Sequence, residues 1–126
     1  MEQTEINRIS VLGLAHIGDG VYELLVRSML CRRGCTAVGA MHRQAVSYVN
    51  APAQAEAVKK LLPLLSPDEL DIYRRGRNAK VNSVPQNAEL SEYHAATGLE
   101  ALFGWLFLRG DQTRIDELFS VIVGEG

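Results

Sequence analysis

Residues 96–108 read ATGLEALFGWLFL, and this stretch decides the fold. Apolar side chains point in nearly every direction around it, which is the pattern of a helix buried in a protein core. A single acid, Glu100, interrupts the apolar run. A buried carboxylate needs a compensating partner, because burying an unpaired charge is costly. An arginine or a divalent cation such as Mg²⁺ would serve, and the stretch alone leaves both open.

The rest of the chain also reads as helices joined by short turns, without the alternating pattern of strands. The clearest local signal is Ser66-Pro67-Asp68-Glu69, a capping box that begins a helix. We expect that helix to break near Gly76, ahead of a loop over Val81–Gln86. The other predicted helices are Val11–Arg33, Thr36–Val49, one capped by Asn50, about Ser91–Gly110, and one capped by Asp111 that runs to about Val123. The sequence therefore predicts an all-α fold of about six to seven helices, one domain over 1–126 with its core at about 10–123.

The composition is that of a globular protein of 126 residues, with 47% hydrophobic and 22% charged residues. No apolar run reaches the roughly 18 residues of a membrane-spanning helix, and no signal segment precedes the domain, so we expect a cytoplasmic protein without a membrane partner. Cys31 and Cys35 are too few for a zinc site or a disulfide framework, and reduced thiols suit the same compartment.

Charge is unevenly distributed along the chain. Residues 27–80 contain ten Lys or Arg against four Asp or Glu, whereas the two flanks contain three against eleven. A basic middle suits contact with phosphates, and acidic flanks suit metal binding. Scattered surface charge would give a similar count, so the distribution does not decide between them.

Asp19 and Glu23 are four residues apart and therefore share one face of the first long helix. Asp19 stands between Gly18 and Gly20, and glycines inside a helix indicate close approach of another backbone. Two acids facing inward would repel each other unless a cation lies between them. The alternative is that both are solvated surface acids.

A basic segment ends the helix that follows Ser66. Its cations and amide can contact phosphate groups, Arg through two bonds and Lys as a point charge. The alternative is a solvated basic helix end that complements the helix dipole. The residues predicted to bind RNA are Arg74, Arg75, Arg77, Asn78 and Lys80.

Three segments together resemble the Mini-ribonuclease III family, a compact branch of the ribonuclease III superfamily without the separate double-stranded-RNA-binding domain. Leu14–Glu23 resembles its signature helix, Arg75–Lys80 its basic loop, and Leu99–Leu108 its second acidic helix. The resemblance spans about residues 10–123, and the order and spacing of the segments make it specific.

The resemblance implies a homodimeric ribonuclease III-like endonuclease domain. It implies that Asp19 is the catalytic metal-binding acid and that Glu100 completes a Mg²⁺ site, with Mn²⁺ as the alternative metal. Glu23 is expected to have a supporting catalytic role. Larger members of the superfamily carry acids where this chain has Ala15 and Thr97, so the number of metal ions stays open.

The expected function is metal-dependent cleavage of double-stranded or structured RNA, by family analogy in ribosomal RNA maturation at the large-subunit precursor. A two-fold dimer would place one site on each strand, and we expect the glycines of the first helix, Gly13, Gly18 and Gly20, to lie at its interface. One rival is a non-catalytic RNA-binding module on a degenerate ribonuclease III fold. Another is a helical protein-interaction domain, which leaves the basic segment unexplained.

Overall fold

The computed structural model describes residues 1–79 and 89–125. Over these residues the protein is all-α, as predicted, with seven α-helices, one short 3₁₀ helix and no strand. None of the described helices is long and apolar enough to cross a membrane. The α-helices are α1 (Gln3–Ile6), α2 (Val11–Arg32), α3 (Val38–Val49), α4 (Ala51–Leu61), α5 (Pro67–Arg77), α6 (Leu90–Leu108) and α7 (Gln112–Val123), and the 3₁₀ helix covers Leu62–Leu64.

The helix starts follow the capping residues of the sequence. The Asn50 side chain accepts a hydrogen bond from the Ala53 amide at 2.8 Å, and Ser66 forms the predicted capping box. Asp111 caps α7 in the same way. These side chains satisfy amides that have no partner inside the helix. Helix α1 was not predicted, although Glu2 and Glu5 form a capping box there too.

Helix α5 runs through Gly76 and ends one residue later, at Arg77, close to the predicted break near Gly76. A Cβ at this glycine would lie 2.8 Å from the Ala101 Cβ and 2.9 Å from the Gly98 Cα. The missing side chain therefore lets α5 pack closely on α6, and this contact outweighs the low helix propensity of glycine, about 1 kcal/mol. The loop predicted over Val81–Gln86 lies outside the described residues.

Helix α6 is the centre of the fold. It is buried over residues 96–106, apart from the half-buried Glu100, as the apolar sequence there predicts, and it packs against α2, α4, α5 and α7. Core side chains of α2 join it, and the Tyr22 ring meets the Phe103 ring edge-to-face at 5.4 Å between centroids. Because α2, α4 and α5 all contact α6, residues far apart in sequence come together on its surface.

A partly buried ion pair joins α5 to α7. The Arg114 guanidinium donates to both carboxylate oxygens of Glu69 at 2.8 and 2.9 Å and to the Leu64 carbonyl at 2.8 Å. The guanidinium and, to a smaller degree, the amide and hydroxyl of Ser66 lower the pKa of Glu69 below its ordinary value. The two-bond geometry fixes α5 at its N-terminal end, while Gly76 packs it on α6 at the other.

Candidate active site

Asp19 and Glu100 lie side by side where α2 crosses α6. Gly18 packs so closely on α6 that a Cβ there would overlap the carbonyl oxygen of Glu100. Gly104 makes the reciprocal contact, and a Cβ there would overlap the carbonyl oxygen of Leu14. This close backbone crossing brings the Asp19 side chain within hydrogen-bonding reach of Glu100. The two acids singled out from the sequence are thus neighbours in the fold.

The environment of Glu100 disfavours its charge. Burial first, then the negative charge of Asp19 and a hydrogen bond with it, raise the pKa of Glu100 from 4.5 to about 8. The buried Tyr22 lies close enough for its own pKa to be raised, by burial and then by the charge of Glu100. In the described part of the chain Glu100 has no arginine or lysine partner. The ion pair that the sequence left open is therefore not found there, and the pair of acids lacks a neutralising charge.

Gln54 on α4 also reaches the site, although it was not among the predicted site residues. Its side-chain amide donates to the Glu100 Oε2 atom at 3.5 Å, and only 3% of the residue is exposed. The signal was available: the buried residues of α4 include Ala57, Val58 and Leu61. Their spacing places Gln54 on the same helix face, which predicts that its amide points into the core.

Glu23 and Thr97 stand near the two acids but have other partners. Glu23, one turn after Asp19, pairs with Arg27 at 2.9 Å on the surface of α2. The Thr97 hydroxyl, one turn before Glu100, donates to the Tyr93 carbonyl at 3.0 Å. No group of three or more His, Cys, Asp or Glu that could hold a metal ion occurs within residues 1–79 and 89–125. Asp19 and Glu100 are the two carboxylates that the fold brings together here.

The basic segment forms the exposed C-terminal end of α5. Arg74, Arg75 and Arg77 are all exposed, as is Asn78, which ends the helix. The Arg77 guanidinium lies 5.7 Å from the centre of the Tyr73 ring, and its Nε donates to the Asn78 Oδ1 atom at 3.2 Å. Lys80 lies outside the described residues. The cations of the segment that are described are therefore open to solvent and to a polyanion.

An apolar groove, which we call the α2 groove, is formed by α2 together with one residue from each of α6 and α7. Leu24 is 66% exposed and Phe107 is 49% exposed. A Cβ at Gly20 would meet no atom within 4 Å, whereas a Cβ at Gly18 would collide with the backbone of α6. Of these two glycines, only Gly20 lines the groove. The groove is lined by Ile17, Gly20, Val21, Leu24, Leu25, Phe107 and Gln112.

Comparison with known proteins gives the family. The Ribonuclease III domain family matches residues 12–111. A Mini-ribonuclease 3 of Symbiobacterium thermophilum is 47% identical over 109 residues, covering 86% of this chain and 84% of the relative. A Mini-ribonuclease 3 of Thermoanaerobacter is 44% identical over 115 residues, covering 91% and 81%.

The fold also has a relative among solved structures. A crystal structure of a Fusobacterium nucleatum protein superposes with a TM-score of 0.85 at 27% identity, covering 94% of this chain and 97% of the other. The sequence resemblance is confirmed by these matches, which extend over most of the length of each relative. This chain belongs to the Mini-ribonuclease 3 group of the ribonuclease III domain family.

Proposed function

We propose that this protein is a divalent-metal-dependent endoribonuclease that cuts double-stranded or structured RNA. The observation that carries the proposal is the pairing of Asp19 with Glu100 across the α2–α6 crossing. Membership of the ribonuclease III family supplies the reaction class, hydrolysis of a phosphodiester bond in RNA. Asp19 and Glu100 are the residues to which we assign catalysis.

The donor set of the site fits a hard cation such as Mg²⁺ or Mn²⁺. Asp19 and Glu100 offer carboxylate oxygens, and burial of Glu100 beside a second acid creates a charge repulsion that a cation would relieve. Two protein ligands leave coordination positions for water, which Mg²⁺ tends to retain. When bound, such a cation supplies an activated water and stabilises negative charge on the phosphate.

The protein's own part is to hold these acids in place. The close α2–α6 crossing fixes the separation of the Asp19 and Glu100 side chains, which a mobile loop would not do. Glu23 keeps a supporting role in the proposal. Its ion pair with Arg27 holds a third carboxylate on the surface of α2, one turn from Asp19.

The RNA is held by the basic end of α5. Its exposed guanidinium groups, Arg74, Arg75 and Arg77, can each bind backbone phosphate, and Asn78 adds an amide donor. We include Lys80 from the sequence pattern. A-form RNA is read mainly through its shape, its phosphates and its 2′-hydroxyls, so these contacts give grip without strong sequence selection.

We propose that the enzyme works as a homodimer through the α2 groove. Exposed Leu24 and Phe107 form an apolar surface that a second copy would remove from water. Gly20 lies in the groove with open space above it, which allows a partner's backbone to approach closely. Two sites related by a two-fold axis would cut the two strands of a duplex.

We place the enzyme in the cytoplasm and its substrate among precursor ribosomal RNAs, at large-subunit maturation. Both assignments follow from the family resemblance.

The test is cleavage of duplex RNA with and without Mg²⁺ by the wild type, Asp19→Asn and Asp116→Asn. Asp116 is an exposed acid on α7 and serves as the matched control. Asp19→Asn should lower the cleavage rate about 1,000-fold or more, because charge stabilisation by a metal ion is worth several kcal/mol. Binding of the duplex, measured by fluorescence anisotropy, should persist. Full activity of Asp19→Asn would remove the assignment, and a wild type that binds without cutting would identify the non-catalytic RNA-binding module instead.

A further inference from the structure

Gln54 is a buried polar residue at a position where core packing alone would accept an apolar side chain. Its helix, α4, presents Ala57, Val58 and Leu61 to the core, and an apolar side chain at position 54 would continue that face. Instead an amide with only 3% exposure stands there. Burying an amide costs free energy unless its polar atoms find partners. Its hydrogen-bond partner therefore indicates why an amide occupies this position.

The partner is Glu100. The Gln54 Nε2 atom lies 3.5 Å from the Glu100 Oε2 atom, and this is the side-chain hydrogen bond that Gln54 forms within the described part of the chain. The amide nitrogen of Gln54 carries the hydrogen atoms, so it donates and the Glu100 oxygen accepts. The Glu100 carboxyl group thus lies between the amide of α4 and the Asp19 side chain of α2.

We propose that Gln54 is a positioning residue that holds the Glu100 carboxylate in the orientation in which it shares a divalent cation with Asp19. The inference rests on the proposed function, since it concerns the same site. Partners behind a metal ligand fix its orientation and raise the affinity of the site for the ion. With two carboxylates at this site, a change in the orientation of one affects half of the protein's ligand set.

The alternative is that Gln54 only fills space in the core. A space-filling role predicts a loss of stability on substitution and no specific loss of metal affinity. The positioning role predicts the reverse for an apolar side chain of matched length. Gln54→Met is that variant, because methionine is unbranched, close to glutamine in length, and unable to donate the hydrogen bond.

The experiment compares the wild type, Gln54→Met and the control Gln44→Met, which alters an exposed glutamine on α3. Mn²⁺ binding without RNA is measured from the electron paramagnetic resonance signal of the free ion, and thermal unfolding is measured without metal. The Mg²⁺ concentration for half-maximal cleavage and kcat at saturating Mg²⁺ are determined separately.

Gln54→Met should bind Mn²⁺ about 10- to 100-fold more weakly than the wild type, as expected for loss of a partner behind a ligand. The half-maximal Mg²⁺ concentration should rise similarly, while kcat at saturating Mg²⁺ changes much less and Gln44→Met behaves as wild type. Gln54→Asn, which keeps a polar group but withdraws the amide from Glu100, should show the same pattern and serves if the methionine variant does not fold.

Wild-type Mn²⁺ affinity in both folded variants would overturn the positioning role and leave the proposed function intact. A lowered melting temperature with unchanged Mn²⁺ affinity would also overturn it, in favour of space filling. A wild type that neither binds Mn²⁺ nor cleaves duplex RNA would overturn the proposed function and this inference together.

Discussion

Replacing Glu100 by glutamine should make the metal-free protein more stable at neutral pH, although it should disable the proposed site. The Glu100 pKa is about 8 in the folded protein, against 4.5 for an ordinary glutamate. Below about pH 4.5 the folded and unfolded chains both hold the proton, and the residue costs little. Between pH 4.5 and about pH 8 only the folded protein keeps the Glu100 proton, so the free energy of unfolding falls as the pH rises. The neutral amide of glutamine does not have this cost.

The size of the effect follows from the two pKa values. One pKa unit corresponds to about 1.4 kcal/mol. The need for Glu100 to take up a proton on folding therefore lowers the free energy of unfolding by roughly 4 kcal/mol near pH 7.5, and by only about 1 kcal/mol near pH 5. Other titrating groups are common to the wild type and Glu100→Gln, and their contributions cancel in the difference between the two proteins.

The assay is urea unfolding of both proteins followed by circular dichroism, in the presence of a chelator, from about pH 5 to about pH 8. Glu100→Gln should gain roughly 3 kcal/mol on the wild type across that range. Adding Mn²⁺ in place of the chelator should then stabilise the wild type and not the variant. A difference that is independent of pH, or a variant less stable than the wild type near pH 7.5, would refute the electrostatic reasoning.

Further perturbations test packing, RNA binding and assembly. Gly18→Ala should lower the free energy of unfolding by about 3 kcal/mol, because its Cβ would overlap an α6 carbonyl. Gly20→Ala should be neutral or stabilising by up to about 1 kcal/mol, since that position is open. Equal changes in the free energy of unfolding for the two variants would contradict the close crossing. Arg74→Ala with Arg77→Ala should weaken duplex binding and reduce the slope of log Kd against log salt by about two, and an unchanged slope would exclude phosphate contacts there. Leu24→Glu should convert a dimer to a monomer in light scattering. A variant that stays dimeric would place the interface elsewhere.

Local rules predicted most of the helix boundaries. The caps at Asn50, Ser66 and Asp111 fall where the sequence places them, because each is a contact within one helical turn. Gly76 could not be treated locally. Its effect depends on Gly98, which belongs to another helix, and no local pattern reveals that the two lie face to face.

The same division applies to the site. Glu100 stood out because a charge within an apolar helix is anomalous in any fold, and its resemblance to a family motif linked it to Asp19. Gln54 was missed because the sequence pattern alone shows an inner helix face but not which neighbour that face meets. Gly18 was assigned to a protomer interface, whereas in the fold it packs within the chain and Gly20 remains open.

Helix α6 packs on α2 at Gly104 and on α5 at Gly98, and at both positions the glycine leaves no room for a Cβ atom. In an enzyme that works as proposed, the first contact sets where the phosphodiester bond is broken, and the second sets where the duplex is held. The positions of the cleavage site and of the RNA-binding residues are then both set by their contacts with the same helix, α6. The distance between the basic end of α5 and the Asp19–Glu100 pair is consequently fixed by helix packing. Changing that distance would require α2 or α5 to slide along α6.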